Sequence, residues 1–334
     1  MLARLRTRGL SSSQAQGIYA ALASAVVLGL APIFGKQAIL AGTPPLSVVM
    51  LRTVLAVASL WVIFLFFLRR YLAIYPFGLA SCLAAGVING LGSLMYYAGL
   101  GRLDASLAQL LYTLYPLFLT LFSRLEGHAI SRATLARLGL GLAAVYLLTR
   151  HGPLQPDWLG AGLMLAAGFM YAAHLAVNQR VLYDVPAPTV ALYTLSAMAL
   201  TVTLGYFAAG MPALPPTAAA WHPILLLTIV TLLSRLALFS GLKRLGGVQT
   251  ALIGLSELLV TVLAALIFLG EKLTAIQWLG AALLAASVLL VVREKDLGQL
   301  PGPRPWALLL KLSSRRARPL APPAEPRALE EPRE

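Results

Sequence analysis

The sequence predicts an all-α integral membrane protein: ten transmembrane helices in two inverted five-helix repeats, with both termini in the cytoplasm. Composition, the length of the apolar segments and an internal repeat support this prediction. Of 334 residues, 59% are hydrophobic and 11% are charged, and the mean hydropathy is +0.81. A soluble domain is about a quarter charged. The chain has too few charges for an ordinary water-facing surface, which places it among membrane proteins.

Ten apolar segments are each long enough to cross ~30 Å of hydrocarbon at about 1.5 Å per residue. Turn residues and charges separate them, as in "GTPP" and "RHGPLQPD". Continuous apolar runs with internal glycines suit helices, whereas barrel strands would alternate in segments of about ten residues. The predicted spans are 17–40, 46–68, 75–99, 104–123, 131–149, 157–180, 187–209, 220–242, 247–269 and 273–292.

The basic residues predict the orientation. With the N-terminal segment 1–16 inside, eleven Lys and Arg residues outside the tail fall on the cytoplasmic side and four on the other side. This is a positive-inside bias. Trp158, Trp221 and Trp278 begin spans at the outer face, where an aromatic belt is expected. We therefore expect both termini in the cytoplasm and a multi-pass protein of the inner, cytoplasmic membrane.

The tail, 293–334, is basic and rich in proline and is expected to be disordered. Its "WALLLKLSSRRAR" either lies on the membrane surface with its arginines at anionic lipid, or is simply solvated. The net charge of +14 is spread over loops and tail. Nucleic acid is therefore not an expected partner. Cys82, the single cysteine, lies in an apolar run and is expected to be a buried hydrophobe.

The two halves of the chain, 17–149 and 157–292, repeat each other. "GLGRL" at 99–103 recurs as "GLKRL" at 241–245, and Gly17 aligns with Gly160 at a shift of 143. Each copy has five spans, an odd number, so the second copy must enter the membrane upside down. Inverted repeats are typical of secondary transporters, whose binding site lies between the halves near the midplane.

Three segments resemble the EamA-type members of the drug/metabolite transporter superfamily. They are "GTPPLSVVMLR" (42–52), "YTLYPLFLTLFSRLEGHAISR" (112–132) and "SELLVTVLAALIFLGEKLTAIQWLGAALLAASVLLV" (256–291). The family usually has Glu-Pro where this chain has Glu257-Leu258, whereas the first repeat keeps Pro116. The resemblance covers about 17–292. It implies a central cavity lined mainly by spans one, three, four, six, eight and nine, and outward movement of small metabolites or drugs.

Glu257 is the only acidic residue in the interior of a predicted span, since the others lie in the tail, in loops or at span ends. It lies about ten residues, or ~15 Å, from the cytoplasmic turn at Gly247. A charge at that depth costs several kcal/mol unless it is paired, faces water or is protonated. Glu257 is either a neutral side chain hydrogen-bonded between helices, or a cavity-facing carboxylate that carries a proton or binds a substrate amine.

Arg235 lies on the preceding span at a similar depth, ~12 Å from the same face. It is expected to pair with Glu257 or to bind an anionic substrate group, unless it snorkels to the interface. Arg52 is closer to a span end, so snorkelling or a structural contact is expected there in preference to substrate binding. Lys36 is expected at the interface.

Other polar residues within the spans are candidates for the cavity wall. His174 either relays protons or is satisfied by a neighbouring helix, and Asn89 either faces the cavity or packs between helices. Four tyrosines either line an amphipathic pocket or pack elsewhere. The predicted substrate-binding set is Asn89, Tyr97, Tyr112, Tyr115, Tyr171, His174, Arg235 and Glu257, with Glu257 as the proton-coupling candidate.

The sequence has no metal-ligand cluster, glycine-rich phosphate loop or nucleophile with a base. We therefore expect no enzyme activity, cofactor, metal or ATP coupling. The leading hypothesis is a secondary exporter of amino acids or amphipathic drug-like compounds, coupled to protons through Glu257. The alternatives are a facilitator without an ion, in which a Glu257–Arg235 pair is structural, and an integral-membrane enzyme or scaffold. A monomer and a homodimer are both left open.

Overall fold

The computed structural model describes residues 12–125, 157–246, 253–254, 256–271 and 273–292, with isolated positions between them. All of these lie in one unit, Met1–Gly298. The segment 1–11, most of the predicted fifth span (131–149) and the tail 293–334 lie outside the described residues. Every regular element in the described ranges is helical.

Eleven α-helices are described, and a short 3₁₀ turn, Arg69–Tyr71, follows the third. They are α1 Ser12–Leu28, α2 Ala31–Leu40, α3 Pro45–Phe67, α4 Pro76–Arg102, α5 Ala105–Tyr112, α6 Tyr115–Leu125, α7 Trp158–Asp184, α8 Ala187–Ala208, α9 Ala218–Leu245, α10 Ser256–Phe268 and α11 Ala275–Val292.

Six helical segments among the described residues are long and apolar enough to cross a membrane. They correspond to the predicted spans one, two, three, six, seven and eight: Ala15–Leu40, Pro45–Phe67, Pro76–Arg102, Trp158–Asp184, Ala187–Ala208 and Ala218–Leu245. Large apolar side chains such as Phe66, Leu204 and Ile229 are exposed on them. Polar groups lie inside, with Asn89, Ser234 and Thr261 all buried. This arrangement suits a lipid environment.

The predicted first and fourth spans are each divided into two helices. Between α1 and α2 the chain turns at Gly29 and Leu30, just before Pro32, which has no N–H to continue the helical ladder. Between α5 and α6 it turns at Thr113 and Leu114, before Pro116. Apolar length alone predicts a span but not an interruption within it.

The first interruption lies against α10. Thr261 Oγ1 donates a hydrogen bond of 2.7 Å to the carbonyl oxygen of Gly29. A Cβ on Gly29 would lie 2.8 Å from the Glu257 carbonyl oxygen and 2.8 Å from Val260 Cβ. Only glycine allows this approach. The break in the first span therefore holds the turn of α10 that carries Glu257.

Helix packing agrees with the predicted repeat register. A Cβ on Gly17 would lie 3.0 Å from Leu245 Cγ, and a Cβ on Gly160 would lie 3.0 Å from Leu103 Cγ. Gly17 aligns with Gly160 in the repeat, and Leu103 of "GLGRL" aligns with Leu245 of "GLKRL". The start of α1 thus meets the end of α9 in the way that the start of α7 meets the end of α4.

A second pair of contacts, one turn further along the same helices, follows the same repeat register. A Cβ on Gly241 would lie 3.1 Å from Ala21 Cβ, and one on Gly99 would lie 3.1 Å from Met164 Cγ. The duplicated sequence therefore builds two equivalent helix pairs, α1 with α9 and α4 with α7, each of which joins the two halves of the chain.

Candidate functional site

A polar cavity, here called the central cavity, lies where helices of both repeats meet. About 40 Å³ of it is open to the centres of water-sized molecules, which is room for roughly three waters. Its walls come from α1, α2, α4, α5, α7, α9 and α10, the spans that the resemblance implies, and from α3. The lining residues are Leu28, Ala31, Pro32, Arg52, Asn89, Gly92, Ser93, Tyr96, Tyr97, Tyr112, Ala167, Tyr171, Arg235 and Glu257.

Glu257 lies in the first turn of α10 and is 5% exposed. Gln109 Nε2 donates a hydrogen bond of 2.8 Å to Glu257 Oε1. The Tyr96 hydroxyl donates one of 3.0 Å to Gln109 Oε1, which directs the amide nitrogen towards the carboxylate. A chain of three side chains thus fixes the position of Glu257.

A second, smaller cavity adjoins the central cavity at Glu257, with about 10 Å³ open to the centres of water-sized molecules, room for roughly one water. Its walls are Ala21, Ser24, Ala25, Leu28, Tyr115, Tyr171, Leu175, Leu238, Thr250, Gly254 and Glu257. Three residues line both cavities: Leu28, Tyr171 and Glu257. The Glu257 side chain therefore borders both cavities.

Arg235 is buried, with 5% of its surface exposed, so it does not snorkel to the interface. Its guanidinium carbon lies 5.5 Å from the centre of the Tyr171 ring. The expected Glu257–Arg235 ion pair is absent. Both residues are described, and no carboxylate oxygen of Glu257 lies within 4.0 Å of a guanidinium nitrogen of Arg235. Both side chains instead line the central cavity.

Arg52 does not snorkel; it makes the structural contact that was expected as the alternative, and it does so within the site. It is 5% exposed and lines the central cavity. Its Nη1 donates a hydrogen bond of 2.9 Å to Thr231 Oγ1, and its guanidinium carbon lies 4.8 Å from the centre of the Tyr97 ring. Depth counted from a span end did not place Arg52 in the cavity wall, because it takes no account of the packing of α3 against α9.

The tyrosines form one cluster around Glu257. Tyr112 lies 5.0 Å from Tyr96 and 5.4 Å from Tyr171 between ring centres. Tyr115 lies 4.9 Å from Tyr171 and lines the second cavity, whereas Tyr97 lines the central cavity with Tyr112. The structure thus brings together the four tyrosines singled out in the sequence and adds Tyr96.

Asn89 and His174 differ in their placement. Asn89 lines the central cavity, and its Nδ2 donates to Met198 Sδ at 3.1 Å. His174 is fully buried, with Nδ1 3.0 Å from the Ala85 carbonyl oxygen, and it lines neither described cavity. Sequence reasoning missed Arg52, Tyr96 and Gln109. For Gln109 the available signal was an uncharged amide inside an apolar span.

Charged groups at the helix ends hold the connection between α4 and α5. Lys36 Nζ, expected at the interface, donates to the carbonyl oxygens of Leu100 at 3.1 Å and Leu103 at 2.7 Å. Glu271 accepts hydrogen bonds from the backbone N–H groups of Ala105 at 2.7 Å and Ser106 at 2.9 Å. A lysine of the first repeat and a carboxylate of the second therefore bind the same turn.

Asp157 caps the start of α7. It accepts a hydrogen bond of 2.7 Å from the Gly160 backbone N–H and lies 2.9 Å from Arg102 Nε. The Gly160 N–H and the Arg102 guanidinium hold the pKa of Asp157 below its usual range. In the other helix pair Arg244, which aligns with Arg102, donates to the Gln16 side-chain oxygen, so a neutral amide accepts from the arginine there.

Within the described residues, no group of three or more His, Cys, Asp and Glu side chains is placed to hold a metal ion. The chemistry available to the site is therefore that of two guanidiniums, one carboxylate, amides and phenols. Such groups bind and orient polar ligands and exchange protons.

Comparison with known proteins agrees with this architecture. The EamA-like transporter family matches the chain twice, at residues 15–150 and 158–293. "Uncharacterized transporter YcbK" of Bacillus subtilis (strain 168) is 26% identical over 267 residues, 74% of this chain and 83% of that protein. An "Uncharacterized transporter" of Archaeoglobus fulgidus is 28% identical over 290 residues, 83% of this chain and 97% of that protein.

The fold is also found in a solved crystal structure, which superposes with a TM-score of 0.58 at 20% identity and covers 86% of this chain and 100% of its own. Two family matches account for both halves of the sequence, and the six apolar spans place the chain in a membrane. The chain belongs to the EamA-like transporter family, carries the family domain twice, and is a multi-pass membrane transporter.

Proposed function

We propose that this protein exports small metabolites, amino acids or amphipathic drug-like compounds, across the cytoplasmic membrane in exchange for protons. In this proposal ten helices form two inverted repeats with both termini in the cytoplasm. The repeats alternately open the central site to either side. Glu257 carries the proton. The observation that supports the proposal best is the position of Glu257 in the walls of both cavities.

A carboxylate that borders two cavities can exchange its proton with whichever cavity is open. Leu28 and Tyr171 also line both cavities, so a small shift of α1 or α7 would change the size of each cavity. Packed interfaces of this kind tend to have two discrete arrangements. Because the two helix pairs are equivalent, the repeat offers two similar gates.

The charge of Glu257 supplies the coupling. When ionised it attracts a substrate ammonium group, and when protonated it does not, so a proton and an amine-bearing substrate exclude each other. Exchange of a substrate for a proton in the opposite direction requires that the two do not occupy the site together. The inward proton gradient then drives the substrate outward.

The test begins with a counterflow screen of amino acids and cationic drugs in vesicles that contain the full-length protein. The transported compound is then followed under an imposed pH gradient for wild type and for Glu257→Gln. We expect gradient-driven flux to be lost in this variant, because an amide cannot carry the proton. Asp184→Asn removes an exposed carboxylate at the end of α7 and should leave the flux unchanged.

Two results would contradict the coupling. Flux in Glu257→Gln with unaltered pH dependence would exclude Glu257 as the proton carrier. Wild-type flux that ignores the pH gradient would favour a facilitator without an ion, the alternative that needs only a structural role for Glu257.

A further inference from the structure

Two arginines line one small cavity, and each comes from a different repeat. Arg52 lies on α3 in the first half and Arg235 on α9 in the second, and each is 5% exposed. Both side chains line the central cavity. Buried like charges repel strongly unless an anion lies between them.

The protein itself compensates the two charges only in part. The charged residues that line the central cavity in the described part of the chain are Arg52, Arg235 and Glu257, two cations and one anion. Arg52 has Thr231 and the Tyr97 ring, and Arg235 has the Tyr171 ring. Among the described residues, Arg52 Nε and Arg235 Nε and Nη1 have no hydrogen-bond partner.

We propose that Arg52 and Arg235 together clamp a carboxylate group of the transported substrate. A guanidinium presents parallel N–H donors that match the two oxygens of a carboxylate. A single negative charge balances the excess cation, whereas a phosphate dianion would add repulsion from the ionised Glu257. This inference rests on the proposed transport function and narrows its substrates to carboxylates, so amines without an acid group are excluded.

The clamp gives the substrate a role in joining the two repeats. Its carboxylate contacts one arginine from each half, so it binds tightly only when both halves face the cavity together. An ammonium group on the same molecule would then lie towards Glu257, which lines the same cavity. The arginines thereby select the substrate and Glu257 couples it to protons, two tasks on separate residues.

Binding can be measured without transport by following thermal unfolding of the purified full-length protein in detergent. A ligand that binds the folded state raises the unfolding midpoint in proportion to the logarithm of its concentration. The probes are two matched series: leucine, 4-methylpentanoate and isoamylamine, and phenylalanine, 3-phenylpropionate and phenethylamine. Within each series, the members differ in the presence of the carboxylate and the ammonium group.

In at least one series, both carboxylate-bearing members should raise the midpoint, and the amine should bind about tenfold more weakly or worse. Arg52→Gln and Arg235→Gln should each weaken carboxylate binding about tenfold or more. Arg52→Lys keeps the positive charge but loses the paired N–H donors of the guanidinium, so it should also bind carboxylates about tenfold more weakly. This variant tests the clamp even if Arg52→Gln does not fold. Arg69→Gln, at an exposed position, is the control and should bind as wild type does.

Three results would overturn the clamp: equal stabilisation by amine and acid, unchanged carboxylate binding in the Arg52 variants, or no stabilisation by any carboxylate. None of them bears on proton coupling, which is measured by flux in Glu257→Gln. Carboxylate binding that needs both arginines, together with flux that ignores the pH gradient, would instead refute the coupling and leave the clamp standing.

Discussion

At the scale of single residues, the site depends on groups whose partners come from distant parts of the chain. Glu257 takes its hydrogen bond from Gln109, 148 positions earlier, and Arg52 takes its partner from α9, 179 positions later. An isolated charge in an apolar span is visible in the sequence, so Glu257 and Arg235 were found. Gln109 and Tyr96 are visible only once the helices are packed.

Gln109→Leu should destabilise the protein, because it leaves the Glu257 carboxylate and the Tyr96 hydroxyl without this bridging amide. A buried polar group that loses its partner costs about 1–3 kcal/mol. The free energy of unfolding in detergent measures the loss. Tyr96→Phe removes one bond and leaves the Glu257 contact intact, so it should cost less, ~1 kcal/mol. Equal stability of Gln109→Leu and wild type would contradict the bridging role.

At the scale of helices, the interruptions within the first and fourth spans shape the site more than the lengths of the spans do. The lengths of the apolar runs predicted the spans, but the turns before Pro32 and Pro116 were not predicted. A proline in an apolar run is compatible with either a kink or a break. Packing decides between the two, since the free carbonyl oxygen of Gly29 accepts a hydrogen bond from the Thr261 hydroxyl of α10.

Gly29→Ala should push α10 away from the first span, because the added Cβ would lie 2.8 Å from both the Glu257 carbonyl oxygen and Val260 Cβ. Overpacking of this kind costs about 1–3 kcal/mol, and transport should fall with the displacement of Glu257. Gly162→Ala is the matched control, since nothing lies within 4 Å of its Cβ. It should be neutral or stabilise by up to about 1 kcal/mol. Similar unfolding midpoints for the two variants would count against the close approach.

The cap of α7 predicts a dependence of stability on pH. Since Gly160 and Arg102 lower the pKa of Asp157 in the folded protein, its charge stabilises the fold above the ordinary pKa of an aspartate, about 4. That contribution is lost as the pH falls through the lowered value. The wild-type advantage over Asp157→Asn should therefore be present at neutral pH and vanish in acid.

Two substitutions separate the contribution of the Asp157 charge to stability from that of its helix cap. The Arg102–Asp157 pair is exposed, so Asp157→Asn, which can still cap, should cost ~0.5 kcal/mol. Asp157→Ala loses the cap as well and should cost about 1 kcal/mol more. Urea or thermal unfolding across the pH range distinguishes the two. An advantage over Asp157→Asn that persists below the lowered pKa would contradict the assignment.

At the scale of the whole molecule, duplication explains the architecture. The repeat was visible in the sequence at shifts of 142 and 143, and the same register recurs in the paired contacts of Gly17 with Leu245 and Gly160 with Leu103. The symmetry is incomplete where function is expected, since α9 and α10 carry Arg235 and Glu257 whereas the aligned spans three and four carry no charge in their middle. In the proposed function this duplicated scaffold supplies two similar gates, and Glu257, the carboxylate that lines the central cavity, is the single coupling site.

The most direct test of this account follows substrate and protons together. Vesicles that contain the full-length protein are loaded with the transported compound, and a trapped pH indicator records proton entry while the compound leaves, with no pH gradient imposed. Wild type and Asp184→Asn should take up protons in a fixed ratio to the substrate released, and Glu257→Gln should show no proton uptake. Substrate release without proton entry in wild type, or proton uptake that persists in Glu257→Gln, would contradict it.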